Sequence, residues 1–378
     1  MERNWPKLHT DVVFGQSGGK IIWQPRIECW YTDKQFAREP LPEPYTGMTP
    51  QQLYRALDCS ARIYPYNASF RWVPDPREHW TVTERNDGLV EYRIETPAGN
   101  QTLIVRPTPT SPHPVTVKRE VSTEEELRVA AWRQRHGTWE WDQAAFDAVA
   151  AEWGDLGAPV MFMPRMNVQC LYIEKMGVKN GLYAIYDWPA AIEDFFEALH
   201  DSHDQLIDLF NASPIRMVNF GENVHAGTLS PPLFERYHLP ECQHRARRLH
   251  EAGKHVYSHW DGDTKPLLRY AHDTELDGIE AITPKPQGDV TLEEVKEALG
   301  DDMVYWDGIP AVLFDSLFPE EQLIACVERL IELFAPRLVL GISDEISSTG
   351  EIERIRLVGE IVDRYNAQCD AAAARAGG

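Results

Sequence analysis

The chain has 378 residues, with 59 acidic and 37 basic side chains, so its formal net charge is −22 at pH 7. Hydrophobic residues make up 43% and charged residues 25%, which is typical of a globular protein and excludes wholesale disorder. The negative charge disfavours binding to nucleic acid or to an anionic membrane surface, because both need clustered Lys and Arg. The sequence has no apolar run of transmembrane length, no apolar signal-peptide core and only scattered cysteines, so we expect a soluble cytoplasmic protein.

The first part of the chain contains two short apolar runs, 20–23 and 61–64, which we predict to be strands. Residues 80–84, 89–95 and 101–105 then alternate polar and apolar side chains, with turn residues at 86–88 and 97–100. This pattern predicts a small antiparallel β insertion over about residues 78–120, between the second and third strands of the main fold.

From residue 160 onward, short β-branched and aromatic runs alternate with amphipathic segments, which is the pattern of βα units. The predicted strands are 160–164, 217–221, 255–259, 278–282, 303–306 and 338–343. Helices are predicted after Ser230, after a capping box that starts at Thr291, and over 319–334. Eight strands predict a (β/α)₈ TIM barrel, as one domain over residues 1–365 with a disordered or frayed tail at 366–378.

In such a barrel, functional residues lie at the carboxyl ends of the strands, which we call the mouth. Acidic, amide or histidine side chains follow five consecutive predicted strands: Glu222, Asn223, His225, His259, Asp261, Glu280, Asp307 and Asp344. His259 and Asp261 are two residues apart and project to the same side of an extended strand, so they can share one divalent ion with Asp344 or Glu222. The alternative is that Asp261 caps a helix and His259 is hydrogen-bonded within the mouth.

The remaining candidates have equally plausible structural roles. Glu222, Glu280 and Asp307 are candidate catalytic acids or bases. Arg26 and Arg165 are candidate anchors for a substrate carboxylate or partners in ion pairs, and Asn223 and His225 are candidate substrate contacts. Trp23, Trp260 and Trp306 either line the mouth, where they would stack on a ring or hold a methylammonium group, or belong to the core.

Four segments in this order resemble the uroporphyrinogen decarboxylase-like superfamily: Ser-Pro-Pro-Leu-Phe-Glu-Arg-Tyr-His-Leu-Pro at 230–240, His-Glu-Ala-Gly-Lys at 250–254, His-Trp-Asp-Gly at 259–262 and Asp-Gly-Ile-Glu-Ala at 277–281. The resemblance implies a (β/α)₈ barrel and a homodimer. It does not imply haem biosynthesis, because the matching N-terminal segment has only Arg26 and no Gly-Arg-Tyr. The methyltransferase branch holds zinc with His-x-Cys and a later Cys. His259 matches that histidine, Asp261 stands in place of the first Cys, and Asp344, Ser343 or Glu345 falls near the second.

Carboxylates in place of thiolates would leave a harder ion that favours oxygen ligands over a substrate thiol. The leading hypothesis is therefore a metal-assisted methyltransferase or demethylase of corrinoid- or folate-linked one-carbon metabolism. It would use zinc or manganese, act on a small methylated substrate and work with a corrinoid protein. The alternatives are a non-oxidative decarboxylase of a small carboxylic acid and a non-catalytic ligand- or corrinoid-binding protein.

Overall fold

The structure is a computed structural model, and it describes residues 3–109 and 111–376. Its strands are β1 Ile22–Trp23, β2 Phe70–Val73, β3 His79–Glu84, β4 Val90–Thr96, β5 Gly99–Arg106, β6 Val115–Lys118, β7 Thr138–Trp141, β8 Val160–Met163, β9 Met217–Val224, β10 His255–Trp260, β11 Gly278–Glu280, β12 Val304–Pro310 and β13 Leu338–Ser343. Its α-helices are α1 Trp5–Val13, α2 Glu28–Ala37, α3 Pro50–Leu57, α4 Glu124–His136, α5 Gln143–Trp153, α6 Asn167–Gln169, α7 Val178–Asp187, α8 Pro189–Ala212, α9 Pro231–Leu233, α10 Leu239–Glu251, α11 Leu292–Leu299, α12 Glu320–Phe334 and α13 Glu353–Ala376.

The main sheet has seven parallel strands in the order β1-β13-β12-β11-β10-β9-β8. The six strands predicted from residue 160 onward and the first predicted strand, 20–23, are confirmed. Every residue of β10, β12 and β13 is buried, as expected for parallel strands that are covered on both faces. The architecture is α/β and agrees with a TIM-like barrel.

The predicted strand at 61–64 is wrong. The segment lies between β1 and β8, the two edges of the main sheet, but Ser60 N donates to Trp23 O at 3.0 Å and Ala61 N donates to Leu156 O at 2.8 Å. One bond to each side does not make a ladder, and a 3₁₀-helix begins at Tyr64. Among the described residues the sheet therefore has seven strands, and strand pairing does not close it into an eight-stranded barrel.

The antiparallel insertion is confirmed and is larger than predicted. Strands β3, β4, β5 and β6 form a four-stranded antiparallel sheet. Strand β2 precedes this sheet in the sequence and β7 follows it, and the two pair with each other as a separate antiparallel ribbon. Helix α4 packs on β5 and α8.

The helix boundaries agree with the local sequence signals. The capping box at Thr291 and Glu294 is present at the start of α11. Pro231 begins α9, although the Ser230 side chain makes no capping hydrogen bond. Helix α13 continues through residue 376 and so includes most of the segment 366–378 that was predicted to be a disordered or frayed tail. Residues 377–378 of that segment lie outside the described residues. Across the described chain, we find no helix with the length and apolarity needed to span a bilayer.

The amino-terminal end of the main sheet is closed by α1. Trp5 and Val12 pack in one cluster with the first residues of four strands, including Val160 and Val304. This end of the sheet is therefore packed mainly with apolar side chains.

Candidate active site

Six buried polar side chains meet inside the main sheet, and we call them the interior network. Each comes from a different element: Arg26 follows β1, Arg62 lies in the segment between the sheet edges, Asn219 lies on β9, His259 on β10, Glu280 on β11 and Asp307 on β12. Because β10 and β11 pair with His259 opposite Glu280, parallel register alone brings this histidine and this carboxylate together.

Arg62 lies at the centre of the interior network and is fully buried. Its guanidinium donates to Glu280 Oε1 and, at 2.8 Å, to Asp307 Oδ1. Its Nε donates to Gln24 Oε1 at 3.1 Å. A buried cation that lost these acceptors would carry a large desolvation penalty, so Arg62 and the two carboxylates depend on each other.

The two carboxylates around Arg62 differ in ionisation. Burial opposes the charge of Glu280, but the Arg62 guanidinium and His259 outweigh it and hold the pKa of Glu280 well below its usual range. Burial, which Arg62 offsets only in part and the Glu280 charge reinforces, raises the pKa of Asp307 to about 6. At neutral pH, Glu280 is therefore the fixed anion, and Asp307 is the group that titrates nearby.

Arg26 and His259 form the outer part of the network. His259 Nδ1 lies 3.5 Å from Glu280 Oε2. Arg26 Nη1 lies 3.8 Å from Glu280 Oε1 and 3.3 Å from Asp344 Oδ1, while its Nη2 lies 3.1 Å from Glu345 Oε1. The Asp344 side chain is 55% exposed, so this part of the network is in contact with solvent.

The structure does not bring the predicted metal ligands together. Among the described residues, the ligand atoms of His259, Asp261 and Asp344 do not come within 4.8 Å of one another. Asp344 instead pairs with the Arg26 guanidinium, with 3.3 Å between its Oδ1 and Arg26 Nη1. In this arrangement the three side chains do not share one site.

The alternatives for the second and third ligands have other roles. Asp261 N donates to Val224 O at 3.0 Å, and the turn after it is capped by Asp289, which accepts from Thr264 N at 3.0 Å. Ser343 Oγ accepts from Gly308 N at 3.2 Å, and Glu345 accepts from Cys29 N at 2.8 Å. The capping role predicted for Asp261 at the segment that starts at Thr264 is therefore taken by Asp289.

A second buried carboxylate, Glu222, lies at the end of β9. It accepts from Met166 N at 3.0 and 3.3 Å. Burial raises its pKa to about 8, although the charge of Arg245 opposes that shift. Beside it in sequence, Asn223 accepts from Arg165 Nη2 at 3.1 Å. Glu222 is thus a predominantly protonated acid at neutral pH, separate from the contacts of Arg62.

The other predicted substrate contacts have structural roles. Trp260 is fully buried against Phe234, with ring centroids 5.7 Å apart. Trp306 is stacked on Tyr257 at 3.9 Å. The predicted aromatic lining is therefore part of the core, as it is for Trp23, whose Nε1 donates to a carbonyl of α13. His225 is half-buried, and its Nδ1 accepts from Gly227 N at 3.1 Å.

A cavity of about 180 Å³ adjoins the network, and Arg62 and Tyr64 line it. The lining is mainly apolar and aromatic: Ile27, Glu28, Tyr31, Thr32, Pro50, Leu53, Tyr54, Arg62, Tyr64, Pro65 and Trp153. Burial and the charge of Glu345 raise the pKa of Glu28 to about 7. Tyr64 Oη of this lining, and Arg26 Nε and Asn219 Oδ1 of the interior network, are buried and have no hydrogen-bond partner among the described residues. A mainly apolar cavity with a few polar groups is the usual form of a small-molecule site.

The sequence analysis did not single out Arg62, Tyr64 or Asn219. A signal for Arg62 is present, since it stands alone in the apolar run Cys-Ser-Ala-Arg-Ile-Tyr at 59–64. A charged residue in a buried segment requires a partner of opposite charge. No comparable signal marks Asn219, whose contact with Glu280 depends on the order of the strands.

No protein-family model matches the chain, and no curated protein sequence matches it. A solved methyltransferase from Methanosarcina mazei has a similar fold, with a TM-score of 0.51 and 12% identity over 69% of this chain and 75% of that one. Two further solved structures have lower TM-scores. A protein described as a supposed B12-independent methionine synthase of Listeria monocytogenes has a TM-score of 0.38 and 14% identity over 57% of this chain and 66% of that one. A chitinase of Flavobacterium johnsoniae has a TM-score of 0.35 and 11% identity over 58% of this chain and 81% of that one. The first likeness shows the fold and the other two carry no argument.

Proposed function

We propose that this protein is an enzyme that transfers a methyl group to or from a small substrate bound at the mouth of the main sheet. The observation that carries the proposal is the interior network, in which two guanidiniums, two carboxylates and one imidazole converge at strand ends beside a small cavity. Such clustered titratable groups with shifted pKa values are typical of active sites. The fold shared with a protein named as a methyltransferase supports the choice of reaction.

In this proposal Arg26 anchors an anionic group of the substrate. Its Nε has no partner among the described residues, and its contact with the half-exposed Asp344 can be exchanged for a substrate carboxylate. A guanidinium binds a carboxylate through two parallel hydrogen bonds, which fixes orientation as well as position.

His259 is the proposed acid or base, and Glu280 is its positioning residue. Glu280 is ionised and lies 3.5 Å from His259 Nδ1, so it favours the tautomer with Nδ1 protonated. Nε2 is then free to protonate the atom that loses a methyl group, or to accept a proton from the atom that gains one. This role needs only residues of the chain.

The second substrate of the proposed reaction is a methyl carrier. Corrinoid or tetrahydrofolate would supply the methyl acceptor or donor, and a separate corrinoid protein would be the partner that presents it. Zinc or manganese at His259 remains a prediction from sequence, and no step depends on it. The homodimer is likewise still a prediction.

A non-oxidative decarboxylase is the second candidate, and one observation favours it. Asp307 has a pKa of about 6 and lies beside Arg62, within reach of a guanidinium that can orient a carboxylate. A carboxyl group that is partly protonated near neutral pH can donate a proton to the carbanion left by loss of CO₂.

The test is a turnover screen that distinguishes these reactions by mass. Purified protein is incubated with small methoxylated, methylaminated and carboxylated compounds, with either cob(I)alamin or tetrahydrofolate, and products are followed by mass spectrometry. Methyl transfer predicts loss of a methyl group from the substrate only when a carrier is present. Release of CO₂ without a carrier supports the decarboxylase instead, and binding with neither product supports a non-catalytic protein.

The matched variants are Arg26→Gln and Arg93→Gln. Arg26 lies in the network, whereas Arg93 is half-exposed on the insertion and forms an ion pair with Glu95. Arg26→Gln should raise KM for anionic substrates at least ~10-fold through loss of the charged pair, and Arg93→Gln should leave it unchanged. Equal KM values for the two variants would remove the anchoring role of Arg26.

A further inference from the structure

A second cluster of metal-ligating side chains lies between α8 and α10, away from the network. His200 and Asp204 are one turn apart on α8, and His244 faces them from α10; we call these three the helix cluster. One ligand atom from each lies within 4.8 Å of the others, and it is the set among the described residues that meets this condition. The two imidazole centroids are 4.4 Å apart.

The orientation of His200 suits a metal ligand. Its Nδ1 is 2.8 Å from Glu241 Oε2, a carboxylate that is largely buried. With Nδ1 engaged, Nε2 faces the centre of the cluster, 3.9 Å from Asp204 Oδ2. A carboxylate on the outer nitrogen of a ligating histidine is a recurrent feature of protein metal sites, because it fixes the tautomer and the ring orientation.

Asp204 lies between the two histidines. Its Oδ1 is 2.8 Å from His244 Nε2, so the same carboxylate is shared by both imidazoles. The three side chains are about one-third exposed, and His200 and His244 line a cleft of about 330 Å³. An ion can therefore enter from solvent, and the cleft leaves room for water or a small ligand in the remaining coordination positions.

We propose that the helix cluster binds a divalent transition metal ion of the zinc type through His200, Asp204 and His244. Two imidazole nitrogens and one carboxylate oxygen are a donor set that zinc accepts in its sites with an open position. The same set disfavours calcium and magnesium, which prefer oxygen ligands only. The ion would join α8 to α10 and thereby stabilise the two helices that precede β9 and β10.

Arg248 is the competitor for this site. Its Nη1 is 2.6 Å from Asp204 Oδ2, and its Nη2 also pairs with Asp208. A bound cation would displace the Nη1 contact, while Arg248 keeps Asp208 as a partner. Replacing Arg248 by Gln removes a positive charge and frees the Asp204 carboxylate, so Arg248→Gln should bind zinc more tightly than the wild type.

The experiment is a calorimetric titration of chelator-treated full-length protein with ZnCl₂ alone. The wild type should bind one equivalent, the double variant His200→Gln/His244→Gln should lose that site, and Arg248→Gln should retain it with at least ~10-fold tighter affinity. The matched control is His250→Gln, because His250 also lies on α10 and also pairs with an aspartate, Asp277 at 2.9 Å. Circular dichroism of each variant checks folding.

The zinc should also raise the thermal unfolding temperature of the wild type and of His250→Gln but not of the double variant, since only folded protein holds the site. Absence of binding to the wild type, or equal binding to the double variant, would overturn the proposal. Zinc that is lost in His259→Ala and kept in the double variant would overturn it in favour of a metal at the mouth. This inference does not rest on the proposed function, which the turnover screen tests separately.

Discussion

Two regions of the mouth, at the ends of β11 and β9, bury carboxylates in opposite electrostatic surroundings. In the interior network, Glu280 accepts from Arg62 and faces His259, and it stays ionised. At the end of β9, Glu222 has a backbone N–H of Met166 as its hydrogen-bond donor, and its pKa is raised to about 8. Burial alone therefore does not determine the charge of a mouth carboxylate, because the cationic groups around Glu280 outweigh its burial whereas those near Glu222 do not. The comparison assigns an anion to one region and an acid to the other.

Loss of the central cation should have the largest effect. Arg62→Met leaves Glu280 and Asp307 buried without their shared partner, which is expected to destabilise the fold by about 3–5 kcal/mol. Urea unfolding measures this value against the wild type. Arg93→Gln on the insertion is the control and should change stability by less than about 0.5 kcal/mol, because Arg93 is half-exposed. A loss below about 1 kcal/mol for Arg62→Met would mean that the network does not depend on its cation.

The pH dependence of stability should separate the two regions. Because the pKa of Glu222 is raised from its ordinary value of 4.5 to about 8, the folded state keeps this proton between about pH 4.5 and about pH 8, where the unfolded chain has lost it. Stability from this group therefore falls as pH rises through that window, by up to about 1.4 kcal/mol per pH unit. Glu280 has a depressed pKa, so its contribution is present above the ordinary carboxyl range and is lost only in strong acid.

Glu222→Gln should flatten the fall in stability between pH 5 and pH 8 and change stability little at pH 5, because Gln resembles the protonated acid. Thermal unfolding over this pH range measures the slope. Glu321→Gln, at an exposed position on α12, is the control and should keep the wild-type slope. If both variants kept it, Glu222 would be ionised in the folded protein and the contrast with Glu280 would disappear.

The smallest effect is expected at the outer edge of the network. Asp344 pairs with Arg26 but is 55% exposed, so Asp344→Asn should cost less than about 1 kcal/mol in urea unfolding. The same variant removes the charged partner of Arg26 Nη1, while Nη2 keeps Glu345, and should lower KM for anionic substrates. A large loss of stability would place Asp344 among the buried, mutually dependent charges rather than at an exchangeable contact.

Much of the fold follows from local sequence patterns. The alternation of apolar runs and amphipathic segments after residue 160 predicts six of the seven main strands, and the turn residues at 86–88 predict the insertion. The segment 61–64 was predicted wrongly because its composition is that of a strand, whereas its start is held by only two single bonds, Ser60 N to Trp23 O and Ala61 N to Leu156 O. A pairing that depends on two distant elements leaves no local periodicity to detect.

The candidate site was predictable only in part. Strand-end position identifies Glu280, Asp307, His259 and Arg26, which the structure does bring together. The sequence could not show that Asp344 pairs with Arg26 and lies apart from His259 and Asp261. The helix cluster was also missed, since His200 and His244 come from separate helices and meet only through the packing of α8 on α10.

The central claim is that the interior network performs the chemistry. The most direct test compares the kcat of His259→Gln with the kcat of His250→Gln, each measured on a substrate found by the turnover screen. Both histidines contact a carboxylate, but only His259 lies in the network. The account predicts that His259→Gln lowers kcat by about 10²–10⁴-fold, the usual contribution of a general acid or base, and that His250→Gln leaves it unchanged. Wild-type kcat in His259→Gln would contradict it.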